Sequence, residues 1–367
     1  MSIGSCTTRR TLPILSLLLE QRGVSASIIG LNAAMGPFGI ILAGPFMPAI
    51  VRRVGAKRLA EIVIVLSAAL LLAFKAFPSL AAWFIIRFVA GIASGTIYTL
   101  SEAWIVHFAE GPRRGRITGI YTSVLSLSFA VGPLLIPYVD IHGWMPWLLG
   151  FLMIMAAYVP LRLVTLEDDD FRGGDHQSFA GFVGRAPLLL FAVSTATIFD
   201  AVMLSFFVIY GLRNGLSLQA ASWALGVAIA GNALLQYPIG MLADRWSRAS
   251  IMWLAAIATI LLALMLPLVI GNWLLWPVVF FMGTTAYAIY TAALAILGDR
   301  FKGAELIAGS AAFGATWGVG GIVGPPLAGL MVDRFGIGAL PYFFAGTYAL
   351  LVLLLAFSRG SLVRAAR

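Results

Sequence analysis

Long apolar runs, most of them about the length of a bilayer-spanning helix, alternate with short polar stretches along this chain. They predict membrane-spanning helices at 26–51, 59–77, 79–106, 117–139, 144–164, 187–211, 218–243, 249–270, 272–297, 306–332 and 338–357. One further stretch, Thr11–Leu19 (TLPILSLLL), is apolar but shorter.

The pattern repeats. Ile97-Tyr98-Thr99 recurs as Ile289-Tyr290-Thr291, Val131-Gly132-Pro133 as Val323-Gly324-Pro325, Gly23-Val24-Ser25 as Gly215-Leu216-Ser217, and Arg53 as Arg245, always 192 residues on. Landmarks that keep one offset in chain order point to duplication. In a membrane chain, two like halves are a transporter signature. The expected fold is therefore an all-α integral membrane protein of two pseudo-symmetric six-helix halves. Residues 1–164 form the amino-terminal half, 165–186 a cytoplasmic linker and 187–367 the carboxy-terminal half.

The eleven predicted spans fall one short of a doubled six, and the repeat accounts for the gap. The partner of span 187–211 lies at 187 − 192 = −5 to 211 − 192 = 19, so Met1 falls inside the first helix. That leaves eleven full spans plus a partial one, with Thr11–Leu19 as its outer end. Arg9 and Arg10 would then sit at membrane depth, at about 2.5–3.5 kcal/mol each on insertion scales. Two readings stand: a displaced, diverged or truncated amino terminus, or an arginine that meets a buried acid. The repeat sets Thr8 and Arg9 opposite Asp200 and Ala201.

Composition agrees with a membrane chain: charged residues are 11%, against about 25% in soluble domains. The net charge of +9 is distributed unevenly. Numbering the loops alternately, one side collects Arg52, Arg53, Lys57, Arg58, Arg113, Arg114, Arg116, Arg162, Arg172, Arg185, Arg245, Arg248, Arg300, Lys302 and the last three arginines. The other side has Arg22, Lys75, Arg213 and Arg334. The rich side is expected to be cytoplasmic, which places the loops after the second, fourth, sixth, eighth and tenth helices there, with the carboxy terminus. The positive charge then reports topology, and no nucleic-acid partner is expected. The acidic run Glu167–Asp170 reads as part of a solvated connector.

Several chemistries are missing from the pattern. A single cysteine, Cys6, makes no disulfide framework, and His107, His142 and His176 have no metal-ligand spacing. The glycine-rich stretch Gly314–Gly324 lacks a Walker lysine and reads as close helix packing. No metal or organic cofactor is expected.

Candidate chemistry lies on the spans themselves. In span 79–106, Arg87, Gly91, Ser94, Tyr98 and Glu102 step by four, three, four and four, which puts them on one helical face. A polar stripe at lipid depth must face protein or water. Arg87 is then either a substrate or coupling residue or a structural anchor. Asp200 sits mid-span with no basic residue nearby on its helix. Burial favours the neutral form of a carboxylate, so Asp200 is the leading candidate for carrying a proton. A structural pair with Arg9, Arg10 or Arg87, or sodium binding, are the alternatives. Asn232 and Gln236 share a face and either touch substrate or join helices. Trp144, Trp147, Trp273 and Trp276 read as interface anchors.

The loop after span 218–243 reads Gly240-Met-Leu-Ala-Asp244-Arg245-Trp-Ser247-Arg248. It resembles the G-x-x-x-D-R-x-G-R signature of the major facilitator superfamily, with Ser247 in place of the second glycine. The matching first-half loop, Pro48-Ala-Ile-Val-Arg52-Arg53-Val-Gly55, keeps one arginine and that glycine but has Arg52 for the aspartate. Arg87-x-x-x-Gly91-x-x-x-Gly95 and the Gly-Pro steps at 132–133 and 324–325 resemble the fourth- and fifth-helix patterns of the same superfamily. Ser101-Glu102-Ala103-Trp104-Ile105 and Gln236-Tyr-Pro-Ile-Gly240 resemble its bacterial YcaD-type branch.

The resemblance implies a cytoplasmic latch. Asp244 would approach the start of the fifth helix, where Arg116 lies, and Arg52 the start of the eleventh, where Asp299 and Glu305 lie. Arg53, Glu102, Arg245 and Arg248 complete this expected gate; ordinary solvated loop charge is the alternative. The resemblance also implies that the first, fourth, seventh and tenth helices line a central cavity. Its expected liners are Arg87, Tyr98, Asp200, Thr284, Tyr287 and Tyr290, joined by Asn32, Tyr121, Asn232, Gln236 and Trp317. Asp333-Arg334-Phe-Gly336 mimics the loop signature on the outer side and reads as structural.

The function expected is secondary active transport of a small organic solute across a bacterial inner membrane by alternating access. Coupling to a proton gradient, as symport or antiport, is the preferred energy source, and the expected partners are that solute and the bilayer, with the chain a monomer. An integral-membrane lipid-modifying enzyme would need clustered acids or histidines near one face. A transport-dead sensor is the third reading.

Overall fold

The computed structural model describes residues 2–108, 133–138, 140–163, 184–301 and 304–357. The described residues contain no strand. Among the described residues, twelve α-helices are bounded, in chain order: α1 (Ser2–Gln21), α2 (Ala26–Ala43), α3 (Met47–Val54), α4 (Ala56–Ala76), α5 (Leu80–Phe108), α6 (Met145–Leu163), α7 (Pro187–Arg213), α8 (Leu218–Arg245), α9 (Arg248–Val269), α10 (Leu275–Arg300), α11 (Ala304–Phe335) and α12 (Leu340–Phe357). Among the described residues, ten spans are long and apolar enough to cross a membrane, and Leu12–Gln21 is a shorter apolar helix. The predicted span 117–139 and the linker 165–186 lie mostly outside the described residues.

Two helix starts show how the local sequence acts. The predicted span 26–51 is interrupted by a 3-10 turn at Gly44–Phe46 before α3 begins. Pro45 lacks an amide hydrogen and its ring crowds the preceding turn, so the α-helical ladder cannot run through it. Between α3 and α4, Gly55 takes φ +84°, a conformation that side chains rarely adopt. Its repeat partner Ser247 solves the same corner differently. There the chain stays extended and the Ser247 side chain accepts from Ser250 N, capping α9.

Contacts gather the chain into two compact units, Met1–Leu19 with Leu31–Asp175, and Glu20–Gly30 with His176–Arg367. In the first unit, Leu59, Val63, Ile64 and Leu71 of α4 pack with Ile97, Leu100 and Trp104 of α5 and Ile154 and Leu161 of α6. Trp147, expected at the interface, is instead buried and stacks on Phe74 with ring centroids 5.7 Å apart. Its start-of-helix position and apolar neighbours draw it into the core, whereas Trp144 and Trp273 are exposed. In the second unit α7 is the most buried span and touches α8, α10, α11 and α12.

The repeat reappears in the helix contacts. A Cβ at Gly91 of α5 would collide with the Gly36 carbonyl of α2, and one at Gly39 with the Phe88 carbonyl. In the second unit the pairs are Gly283 with Ala228 and Gly231 with Phe280. Each second-unit residue is its counterpart plus 192: 91 and 283, 36 and 228, 39 and 231, 88 and 280. Backbone-to-backbone approach of this kind is how small residues hold membrane helices together without a hydrophobic driving force between them.

Candidate functional site

Asp200 sits in the middle of α7 and is 7% exposed. The Tyr287 hydroxyl of α10 donates to its Oδ1. Tyr287 is held edge-on to Phe199 at 6.2 Å and stacks on Trp317 of α11 at 6.5 Å. Tyr290 meets the same Trp317 edge-on at 5.4 Å. Three helices thus bring Asp200, Tyr287, Tyr290 and Trp317, all expected as liners, into one acid-and-aromatic cluster. A void of about 10 Å³ beside it is lined by Phe199, Asp200, Met203, Leu225, Gly283 and Tyr287. That is at the lower limit for one water. Below the cluster, Tyr348 of α12 donates to the Ala286 carbonyl and presents its ring edge-on to Phe199.

Asn232 and Gln236 belong to a second polar row between α8 and α10. Gln236 Nε2 donates to Asn232 Oδ1, and the Thr291 hydroxyl donates to Gln236 Oε1. The helix-joining reading is therefore realised for Gln236, and both amides remain half-buried. Thr284 donates to the carbonyl of Phe280 in its own helix and lies where Gly231 approaches, so it is part of the α8–α10 contact.

The first unit contains a different polar group. Arg87 is 5% exposed; its Nη2 lies 3.4 Å from the Leu12 carbonyl of α1, and Nη1 has no partner. Asn32 of α2 is fully buried with neither amide atom hydrogen-bonded. Ser16, one turn beyond Leu12 on α1, is likewise buried with an unpartnered hydroxyl. Gly36 meets Gly91, and Ile40 meets Gly95, each pair 55 residues apart (91 − 36, 95 − 40). The same step one turn earlier sets Asn32 level with Arg87 (87 − 32 = 55). Buried polar atoms are nearly always hydrogen-bonded, so these four atoms are free to hold a water or a polar group of a solute. Tyr98, 46% exposed, stands apart from them farther down α5. Tyr121 lies outside the described residues.

The profile of the Major Facilitator Superfamily matches residues 2–217 and, a second time, 189–364. The chain belongs to the major facilitator superfamily. It is 26% identical over 361 residues to the uncharacterised MFS-type transporter YfkF of Bacillus subtilis, covering 95% of this chain and 90% of that one. To the YcaD transporter of Escherichia coli it is 23% identical over 353 residues, covering 93% and 89%. Among solved structures, the nucleoside transporter NupG superposes with a TM-score of 0.79 at 14% identity, covering 97% of this chain and 96% of that one. The D-xylose-proton symporter gives 0.71 at 16%, covering 96% and 94%. These likenesses establish a multi-pass membrane transport protein of the MFS fold.

The superfamily signature shows how its last arginine is used. Arg248, at the start of α9, pairs with Asp299 and donates to the Ala295 carbonyl at the end of α10. Asp299, expected opposite Arg52, is thus engaged by an arginine of its own half. Arg52 and Arg53 are exposed in the last turn of α3. Glu102 falls on α5, Asp244 and Arg245 end α8, and Glu305 opens α11. Arg116 lies outside the described residues, as do the contacts expected of it.

Sequence reasoning passed over Thr291, Ser16, Glu20, Arg213 and Ser27. Thr291 closes the repeated Ile-Tyr-Thr tripeptide, and Ser16 is the lone hydroxyl between Pro13 and Leu19, so both carried a signal. The Glu20–Arg213 ion pair (2.6 Å) joins residues 193 apart and carried none.

Proposed function

We propose that this MFS member is a secondary active transporter. It moves a small organic solute across the bacterial inner membrane by alternating access, with Asp200 carrying the coupling proton. The buried carboxylate of Asp200 beneath the Tyr287 hydroxyl carries the reading. An ionised acid at this depth is costly, and a proton removes that cost. While Asp200 is ionised it accepts from Tyr287. Once protonated, the carboxyl still accepts but the bond is no longer charge-assisted, which loosens the hold on the tyrosine ring against Trp317. Proton binding is thereby linked to the aromatic wall a solute would stack on.

Arg87, Asn32 and Ser16 of the first unit, with their unpartnered donors and acceptors, are a separate group of polar atoms that serves solute binding. The solved relatives named for nucleosides and for D-xylose with a proton support a small organic solute and proton coupling. The halves 1–164 and 187–367, joined by 165–186, are the moving bodies of a monomer. The ends rich in arginine and lysine face the cytoplasm. There Asp244, Arg245, Arg52, Arg53, Glu102, Arg116 and Glu305 form the gate, with Arg248 fixing Asp299.

The test begins with a thermal-shift screen of metabolites at two pH values, followed by uptake of the stabilising solute into proteoliposomes. Asp200→Asn is expected to abolish uptake driven by an imposed pH gradient while elution profile and melting stay unchanged. Undiminished pH-driven uptake would remove Asp200 from coupling.

A further inference from the structure

Arg162, at the end of α6, directs Nη1 at both carboxylate oxygens of Glu61 on α4, at 3.4 and 3.3 Å. The acid is the sheltered partner, its side chain 17% exposed against 62% for the arginine. Lys57 and Arg58 precede Glu61 by four and three residues, which sets both beside it on α4. Three cations therefore gather at one acid that already accepts from Arg162. Arg58 is exposed and makes no hydrogen bond or ion pair among the described residues.

Both arginines end an apolar stripe. On α4, Arg58 is followed at helical spacing by Ile62, Val65 and Leu66, all exposed. On α6, Leu148, Leu152 and Val159 lead at helical spacing to Arg162, and they too are exposed. The buried faces of α4 and α6 pack on each other, so the two stripes are neighbours, tied at their charged end through Glu61. Exposed aliphatic side chains on a membrane span meet lipid chains, and the arginines stand where headgroups begin.

The duplicated scaffold does not require these charges. At the 192-residue offset, Lys57, Arg58, Glu61 and Arg162 become Ala249, Ser250, Trp253 and Leu354. Elsewhere, charges at helix ends are spent on the protein itself. Arg248 pairs with Asp299 and Arg213 with Glu20. Asp333, near the end of α11, accepts from Ala26 N, Ser27 N and the Ser27 hydroxyl. A cation that only set membrane topology would need no place on a lipid-facing stripe.

We propose that the charged end of the α4–α6 face binds the headgroup of an anionic phospholipid. The phosphate lies between Arg58 and Arg162, Lys57 adds charge, and the acyl chains run along the two apolar stripes. Cationic pockets between membrane helices recognise anionic lipids by this chemistry. The group is net positive and Glu61 is already engaged, so the ammonium of a zwitterionic headgroup finds no partner there. No solute takes part, and the site stands whether or not the chain transports one.

The test adds phosphatidylglycerol to the purified full chain in detergent and measures the dissociation constant by native mass spectrometry. Phosphatidylglycerol is expected to bind about tenfold more tightly than phosphatidylethanolamine with the same chains. Arg58→Gln should weaken phosphatidylglycerol about fivefold, and Arg58→Gln with Arg162→Gln about thirtyfold, one cationic contribution for each arginine. Arg334→Gln, which removes an exposed cation from α11, should leave the affinity unchanged. Equal binding of the two lipids, or an unchanged affinity in Arg58→Gln, would overturn the site. A loss in Arg334→Gln as large as in Arg58→Gln would overturn it too, because it would mark general attraction to charge. Displacement of the lipid by an equal concentration of inorganic phosphate would replace the lipid with a free anion. Should the double variant fail to accumulate, Arg58→Gln decides alone, since that side chain holds nothing else in place.

Discussion

Position 55 and its repeat partner 247 show one corner built from two kinds of residue. Gly55 turns the chain through φ +84° and ψ 145°, whereas Ser247 stays extended and spends its hydroxyl on Ser250 N. The two are therefore not interchangeable. Gly55→Ser is expected to cost about 1–3 kcal/mol, because a side chain enters a region open only to glycine. Ser247→Gly should cost only a few tenths of a kcal/mol, and Ser247→Ala about 1 kcal/mol, since glycine is a tolerable cap and alanine is not. Melting of the purified variants in detergent would rank them. The departure from the superfamily glycine was visible in the sequence, but its reason was not, because a backbone torsion leaves no mark on composition. Asp200 was likewise visible as an acid in an apolar run. Its partner Tyr287, 87 residues on, became known only when α7 and α10 met.

Helix packing depends on where two backbones touch, and the glycines sort accordingly. A methyl group at Gly91 or Gly283 would enter a carbonyl of the facing helix, whereas one at Gly240 would meet nothing. Gly91→Leu and Gly283→Leu are expected to leave little folded protein by size-exclusion chromatography of membrane extracts. Gly240→Ala, although in the superfamily signature, should elute and melt as the parent does. The spans could be read from hydropathy because lipid imposes a length and an apolar surface. The break at Gly44-Pro45 could not, since a proline can kink a membrane helix or end it and the outcome depends on neighbours. The α1 helix also exceeds the apolar stretch that announced it, running from Ser2 through Arg9 and Arg10 to Gln21.

Across the whole molecule the two repeats share a scaffold and differ in what they place on it. Asn32 and Arg87 correspond by the 192-residue offset to Ala224 and Val279, which are buried and apolar, while Asp200 corresponds to Thr8. Polar chemistry is thus concentrated near the Asn32–Arg87 level in one half and around Asp200 and Gln236 in the other. Arg87→Gln keeps two polar atoms in place but removes the charge. If Arg87 holds the polar end of the solute, it is expected to raise KM for uptake at least tenfold with little loss of melting temperature, a split that a purely structural anchor would not produce. The scaffold was legible because duplication preserves spacing. The site was legible only as a set of polar positions, because which of them meet is decided by helix contacts that no local pattern encodes.

The starts of α2 and α8 also bear on how the chain is made. At α8 the third amide, Ala220 N, is satisfied by Ser217 as soon as that turn forms. At α2 the first two amides, Ala26 N and Ser27 N, donate to the Asp333 carboxylate, 307 residues downstream of Ala26. At roughly 5–20 residues per second of synthesis, the wait is about 15–60 s. Through that interval the first hairpin sits in the bilayer with its two leading amides open to water or to Ser25. Those two amides meet their carboxylate only after Asp333 itself has been added.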